Sequence, residues 1–131
     1  MKLKVMTIHV DDQAKALRFY TEVLGLKKKT DVSNHGYRWV TVASPEQPDG
    51  PELQIEANTD PAAKAYQEAR FQKGQPALML FVDDVQAEYD RIKGQGATFK
   101  MAPTKTMGST IAQLEDGCGN ILQLTALDHR G

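Results

Sequence analysis

One pattern occurs twice in this chain, and it restricts the available folds more than any other feature. Val10-Asp11-Asp12 returns as Val82-Asp83-Asp84, 72 residues on. The same offset sets Trp39-Val40-Thr41-Val42 on Ile111-Ala112-Gln113-Leu114. Leu53-Gln54-Ile55 meets Leu122-Gln123-Leu124 at an offset of 69, and the three-residue difference matches a longer loop at 44–51. Three matches in one order indicate a duplicated unit, so the fold must be built from two like halves.

Each half reads β-α-β-β-β. Residues 3–10 alternate, with Met6, Ile8 and Val10 on one strand face and Val5, Thr7 and His9 on the other. Asp11 or Asp12 can cap the helix "QAKALRFYTEVLG", where Ala16, Leu17, Tyr20 and Leu24 have helical spacing and Gly25 supplies a stop. Strands are expected at 26–31, in "YRWVTVA" (37–43) after the turn "NHG", and in "ELQIEA" (52–57). Asp60, Pro61 and Gly74 bound a linking helix over 60–74. The pattern then repeats as the strand "ALMLFVDD", the helix "VQAEYDRIKGQG", and the strands "ATFK", "STIAQLE" and "NILQLTA". "APTKTMGST" (102–110) reads as an irregular loop of a kind that covers clefts, with Met107 able to close over a ligand. The expected fold class is α+β: module one over 1–58, the linker helix over 60–74 and module two over 75–127, within one domain of 131 residues.

The period-two pattern also divides each sheet into two faces. Ile8, Val10, Val40, Val42, Leu53 and Ile55, with Leu80, Val82, Ala112, Leu114, Leu122 and Leu124, belong to the faces that meet the helices. The opposite faces then hold His9, Tyr37, Trp39, Thr41, Gln54 and Glu56, and Met79, Phe81, Gln113, Gln123 and Thr125. Aromatics, sulfur, amides and a carboxylate suit a mostly apolar pocket with a few orienting polar groups, whereas a solvated face would carry more Lys and Arg. A net charge of −1 gives no general attraction to nucleic acid or anionic membrane. "MKLKVMTIHV" lacks the apolar run of a signal peptide or membrane span, and the single Cys118 excludes an intrachain disulfide, so a cytoplasmic location is expected.

The stretches "VDDQAKALRFYTEVLGL", "VDDVQAEYDRIKGQGATF" and "EDGCGNILQL" resemble the vicinal oxygen chelate (VOC) superfamily. That superfamily includes glyoxalases, extradiol dioxygenases, fosfomycin resistance enzymes and bleomycin-binding proteins. The resemblance spans nearly the whole chain. It implies a single VOC domain in which two βαβββ modules form a curved mixed sheet around a cleft, often in a homodimer. Catalytic members hold a divalent metal through His and Glu, from the first and the last strand of each module. Carried onto this chain, the first-strand positions are Val5 and Ala77, and the last-strand position of module two is Gln123. The fourth is Gln54 by the internal repeat, or Glu56 if a charged residue is preferred. Two of these side chains cannot bind metal, and tight Zn²⁺ or Fe²⁺ sites need about three or four N, O or S ligands. His9 lies four residues beyond Val5, roughly 13 Å along the strand, too far to replace it.

The expectation is therefore a metal-free protein that binds a small molecule and sequesters an apolar or aromatic compound, with no cofactor. Its ligand-contacting residues would be His9, Tyr37, Trp39, Gln54, Glu56, Met79, Phe81, Met107 and Gln123. The alternative is a glyoxalase-like lyase or isomerase, or a dioxygenase, with a displaced or reduced metal site. Glu56 and His9 would then be the catalytic candidates and Glu56 and Gln123 the metal candidates. The blander assignments are a hydrogen-bonded His9, a strand-end Glu56 reaching water, and Tyr37 and Trp39 as core or dimer contacts. His35 reads as an exposed turn residue. Cys118, in "DGCGN", has no base that would make it a nucleophile.

Overall fold

Asp12 and Asp84 start the first helix of each half in the same way. Their carboxylates accept the backbone N–H of Lys15 and of Ala87, each at 3.0 Å, and so satisfy a donor that has no partner inside the helix. The computed structural model describes residues 1–128. In the first half, β1 (Val5–Val10) leads into α1 (Gln13–Arg18), which continues as one π-helical turn over Phe19–Val23. Next come β2 (Lys27–Asn34), β3 (Tyr37–Ala43) and β4 (Glu52–Ala57). Helix α2 spans Pro61–Gln72. The second half repeats the plan with β5 (Leu78–Phe81), α3 (Val85–Gly94), β6 (Phe99–Thr106), β7 (Ser109–Glu115) and β8 (Ile121–Leu127).

Each half makes its own four-stranded mixed sheet. The orders are β1-β4-β3-β2 and β5-β8-β7-β6. The first strand of each half lies parallel to the last, and the remaining pairs are antiparallel. This is the α+β, twice-repeated βαβββ architecture that the sequence predicts. The chain divides into two compact units at Tyr66/Gln67, inside α2. In the first unit, Ile8, Val10, Val40, Val42 and Ile55 pack with Ala16 and Tyr20 of the helix, all of them buried. The second unit buries Ala112, Leu114, Leu122 and Leu124 with Val85 and Ile92. Tyr20 and Ile92 hold equivalent places in the repeat, and fully burying such a side chain contributes about 1.5–3 kcal/mol.

The stretch 102–110 corrects the sequence reading. It is not an irregular loop but most of a β-hairpin, in which β6 pairs with β7 through a two-residue turn at Met107-Gly108. The turn occupies the repeat position of His35-Gly36, which joins β2 to β3, and φ is positive at Gly36 (82°) and Gly108 (89°). Pro103 obscures the strand in the sequence. It is tolerated because β6 is an edge strand whose register shifts between Phe99 and Met101 and again between Met101 and Thr104. β2 carries a matching shift between Lys28 and Thr30.

Candidate functional site

The polar groups on the outward face of the first sheet are joined by the register of its strands. Thr7 of β1 is paired with Gln54 of β4, and Gln54 with Thr41 of β3, so all three side chains fall on one face. The Thr7 hydroxyl donates to Gln54 Oε1 at 2.7 Å. That bond turns the Gln54 amide nitrogen toward Tyr37 Oη at 2.9 Å and Glu56 Oε1 at 3.1 Å. The Tyr37 hydroxyl in turn donates to Glu56 Oε1 at 2.9 Å. Thr41, fully buried, donates to Glu52 Oε1 at 2.7 Å. His9 sits beside Glu56 in the parallel register, and Trp39 lies two residues from Tyr37 on the same strand face. The hydrogen bond from Tyr37 to Glu56, together with desolvation and the carboxylate's charge, raises the tyrosine pKa above its ordinary 10.0, and the Gln54 contact acts weakly the other way.

Five of the nine residues singled out in the sequence, His9, Tyr37, Trp39, Gln54 and Glu56, thus share one face of one unit. Gln54 is almost wholly buried, Glu56, His9 and Trp39 are half-buried, and Tyr37 is exposed. Thr7 was missed as a site residue. Alternation puts it on the correct face, but its role depends on a partner 47 residues away. Outside the face, Gln13 of α1 donates to the Ile55 carbonyl at 2.9 Å and the Arg38 carbonyl at 3.0 Å, bracing β3 and β4. Arg38 also forms a two-point ion pair with Asp31 across β2, at 2.8 and 2.9 Å.

The second sheet carries a shorter version of the same arrangement. Gln123 Oε1 accepts from the Gln113 amide at 2.9 Å, and its own amide donates to Thr125 Oγ1 at 3.3 Å. Met79 is paired with Gln123 and Phe81 with Thr125, so both apolar side chains line the glutamine's face, and both are exposed. Met107 is separate. It occupies the hairpin turn, fully exposed, six residues along the chain from Gln113.

The residues at the family's metal positions do not fit a metal ion. Val5 and Ala77 offer no ligating atom. The amide oxygens of Gln54 and Gln123 already accept hydrogen bonds from Thr7 and Gln113. Among the described residues, no group of three His, Cys, Asp or Glu side chains is placed to hold a metal. His35 is exposed in its turn with φ of 51°. Cys118 is buried in a turn where its N–H donates to Asp116 at 2.7 Å. An open cavity of about 470 Å³ lies between the first helix and β2, where Leu17 and Leu26 are flanked by Arg18, Lys27 and Lys28, and no candidate residue lines it. No helix among the described residues is long and apolar enough to cross a membrane.

Comparison with known proteins agrees with this geometry. The profile of the Glyoxalase/Bleomycin resistance protein/Dioxygenase superfamily matches residues 2–124. An uncharacterized protein of Bacillus subtilis (strain 168), YurT, is 50% identical over 124 residues, covering 95% of this chain and 98% of its own. The crystal structure of UcmS2 superposes with a TM-score of 0.83 at 28% identity, over 95% of this chain and 97% of the other. That of TnmS3, an antibiotic binding protein from Streptomyces sp. CB03234, superposes with a TM-score of 0.78 at 24% identity, over 98% and 97%.

Proposed function

The chain belongs to the Glyoxalase/Bleomycin resistance protein/Dioxygenase superfamily, and from that premise we propose that it binds a small apolar or aromatic molecule without using a metal ion. The observation that carries the reading is the engagement of both glutamines, one on the last strand of each half. Each amide is fixed by neighbours on its own sheet and left as a neutral hydrogen-bonding group, in a position where catalytic relatives need a ligand atom. In the first unit the binding residues are His9, Tyr37, Trp39, Gln54 and Glu56, where aromatic rings border a small set of oriented polar atoms. In the second unit the binding residues are Met79, Phe81 and Gln123. The same fold serves as an antibiotic binding protein in TnmS3, a use that matches sequestration of an apolar compound. Exposed Leu3, Tyr66 and Leu127 suit a homodimer in solution, and the single, buried Cys118 suits a cytoplasmic setting.

The test combines elemental analysis with binding. The purified protein is expected to carry no stoichiometric metal, and Trp39→Ala is expected to weaken binding of aromatic compounds by about tenfold or more, as loss of an aromatic contact surface does. Stoichiometric Zn²⁺, Ni²⁺, Mn²⁺ or Fe²⁺ would overturn the reading.

One observation favours a second reading, a glyoxalase-like lyase or isomerase or a dioxygenase. Glu56 is half-buried, hydrogen-bonded to a phenol and beside His9, an arrangement suited to proton transfer. Glu56 and His9 would then be catalytic. Turnover that is lost in both Glu56→Gln and His9→Ala would support it, and turnover unchanged in both would remove it.

A further inference from the structure

On the outward face of the first sheet, one charge has no ion-pair partner among the described residues. The other half-buried carboxylates have a cation close by: Asp31 pairs with Arg38 at 2.8 Å, Glu88 with Arg91 at 3.0 Å, Glu52 with Lys4 at 3.7 Å and Glu115 with Lys100 at 3.8 Å. Glu56 is half-buried, yet among the described residues it forms no ion pair. Its hydrogen-bond partners among the described residues are neutral. The Tyr37 hydroxyl and the Gln54 amide both donate to Oε1, at 2.9 and 3.1 Å. These bonds fix the carboxylate without neutralising it, and Gln54 is itself held by Thr7. Oε2 receives no hydrogen bond among the described residues.

Apolar and aromatic side chains share that face. Tyr37 and Trp39 project from β3 on the same face, and Val32 is directly opposite Trp39 on β2. Val32 and Tyr37 are 57% and 48% exposed. We infer that this face takes an organic cation, an amine protonated at neutral pH and carried on an aromatic or apolar body. The ammonium donates to Glu56 Oε2, and the body lies along Trp39 and Val32. A charge-assisted hydrogen bond is about twice as strong as a neutral one, and aromatic faces attract a cation brought close to them. A ligand carrying a carboxylate meets repulsion at the same place. The inference rests on the small-molecule reading and narrows it to a ligand class.

Three probes of one body separate the two ideas: phenethylamine, phenethyl alcohol and phenylacetate, titrated at about pH 8, where the amine is a cation. Trp39 is the single tryptophan, so quenching excited at the red edge of indole absorption, where a phenyl ring is transparent, reports binding directly. The amine is expected to bind about tenfold tighter than the alcohol, with phenylacetate weakest, and its advantage should shrink with added NaCl. Glu56→Gln, which keeps the side-chain shape, should bind amine and alcohol equally. Equal binding of amine and alcohol by the wild-type protein, or a preference insensitive to salt, overturns the cation inference and leaves the small-molecule reading standing. So does a preference that survives in folded Glu56→Gln. No saturable quenching by any of the three overturns both. The salt series on the wild-type protein decides the matter even if the variant does not fold.

Discussion

Tyr37 reports on its surroundings because its hydroxyl does two things at once. It donates to Glu56 and accepts from Gln54, and deprotonation would set a phenolate against the carboxylate. Its pKa in the folded protein is therefore raised. The linkage follows from that direction. A group whose folded pKa exceeds its unfolded value contributes stability that is complete below the unfolded value, near 10, and lost as pH rises through the higher folded value. Ultraviolet titration should show an ionisation step of Tyr37 above the ordinary range, absent in Tyr37→Phe and shifted back down in Glu56→Gln. A Tyr37 that ionises at its ordinary value in the wild-type protein would show that the bond to Glu56 is not kept in solution. Asp31 has the opposite sign. The Arg38 hydrogen bonds lower its pKa, outweighing slight desolvation, so its contribution is present above the unfolded value and lost as pH falls through the folded one. The pair is solvent-screened on the sheet surface and contributes no more than about 1 kcal/mol.

At the level of elements, the turn between β7 and β8 is built around one carboxylate. Asp116 accepts the backbone N–H of Cys118 at 2.7 Å and of Asn120 at 3.0 Å, and the Asn120 amide at 2.8 Å. Gln67 of α2 closes over the turn, donating to the Cys118 carbonyl at 3.2 Å and to Asn120 Oδ1 at 3.3 Å. Gly119 makes that approach possible. Its φ is +101°, and a Cβ there would come within 2.6 Å of Gln67 Nε2. Gly119→Ala should therefore cost about 1–3 kcal/mol in urea denaturation, through backbone strain and through displacing a buried, hydrogen-bonded side chain. Pairing it with Gln67→Ala separates the two causes. If the glycine substitution costs as much without Gln67 as with it, strain alone explains the effect and the close approach does not matter.

For the molecule as a whole, duplication was the most legible property. Offsets of 72 and 69 residues in the sequence locate both βαβββ units, and the paired aspartate caps confirm the offset in detail. The same offset could have revealed the β6–β7 hairpin, since Gly108 repeats Gly36, but Pro103 and the polar stretch around it resemble a loop. The face holding the candidate site was legible because strand side chains alternate. The connections within it were not. Whether Gln54 offers an amide oxygen to a ligand, or has it engaged by Thr7, depends on how a strand from the far end of the module docks, and local patterns carry no record of that.

The parallel pairing of first and last strands also has a kinetic consequence. β2–β3 and β6–β7 close through two-residue turns, and such hairpins form in about 1–10 μs. β1 must find β4 across 47 residues, and β5 finds β8 across a similar stretch, so the entropy of closing those loops is met late. Val10 in β1 and Val42 in β3 are equally and completely buried, which makes them a matched pair of probes. Val42→Ala should slow refolding, whereas Val10→Ala should leave refolding nearly unchanged and speed unfolding. Stopped-flow chevrons with the reverse pattern would mean that the long-range strand docks first and organises the hairpins around it.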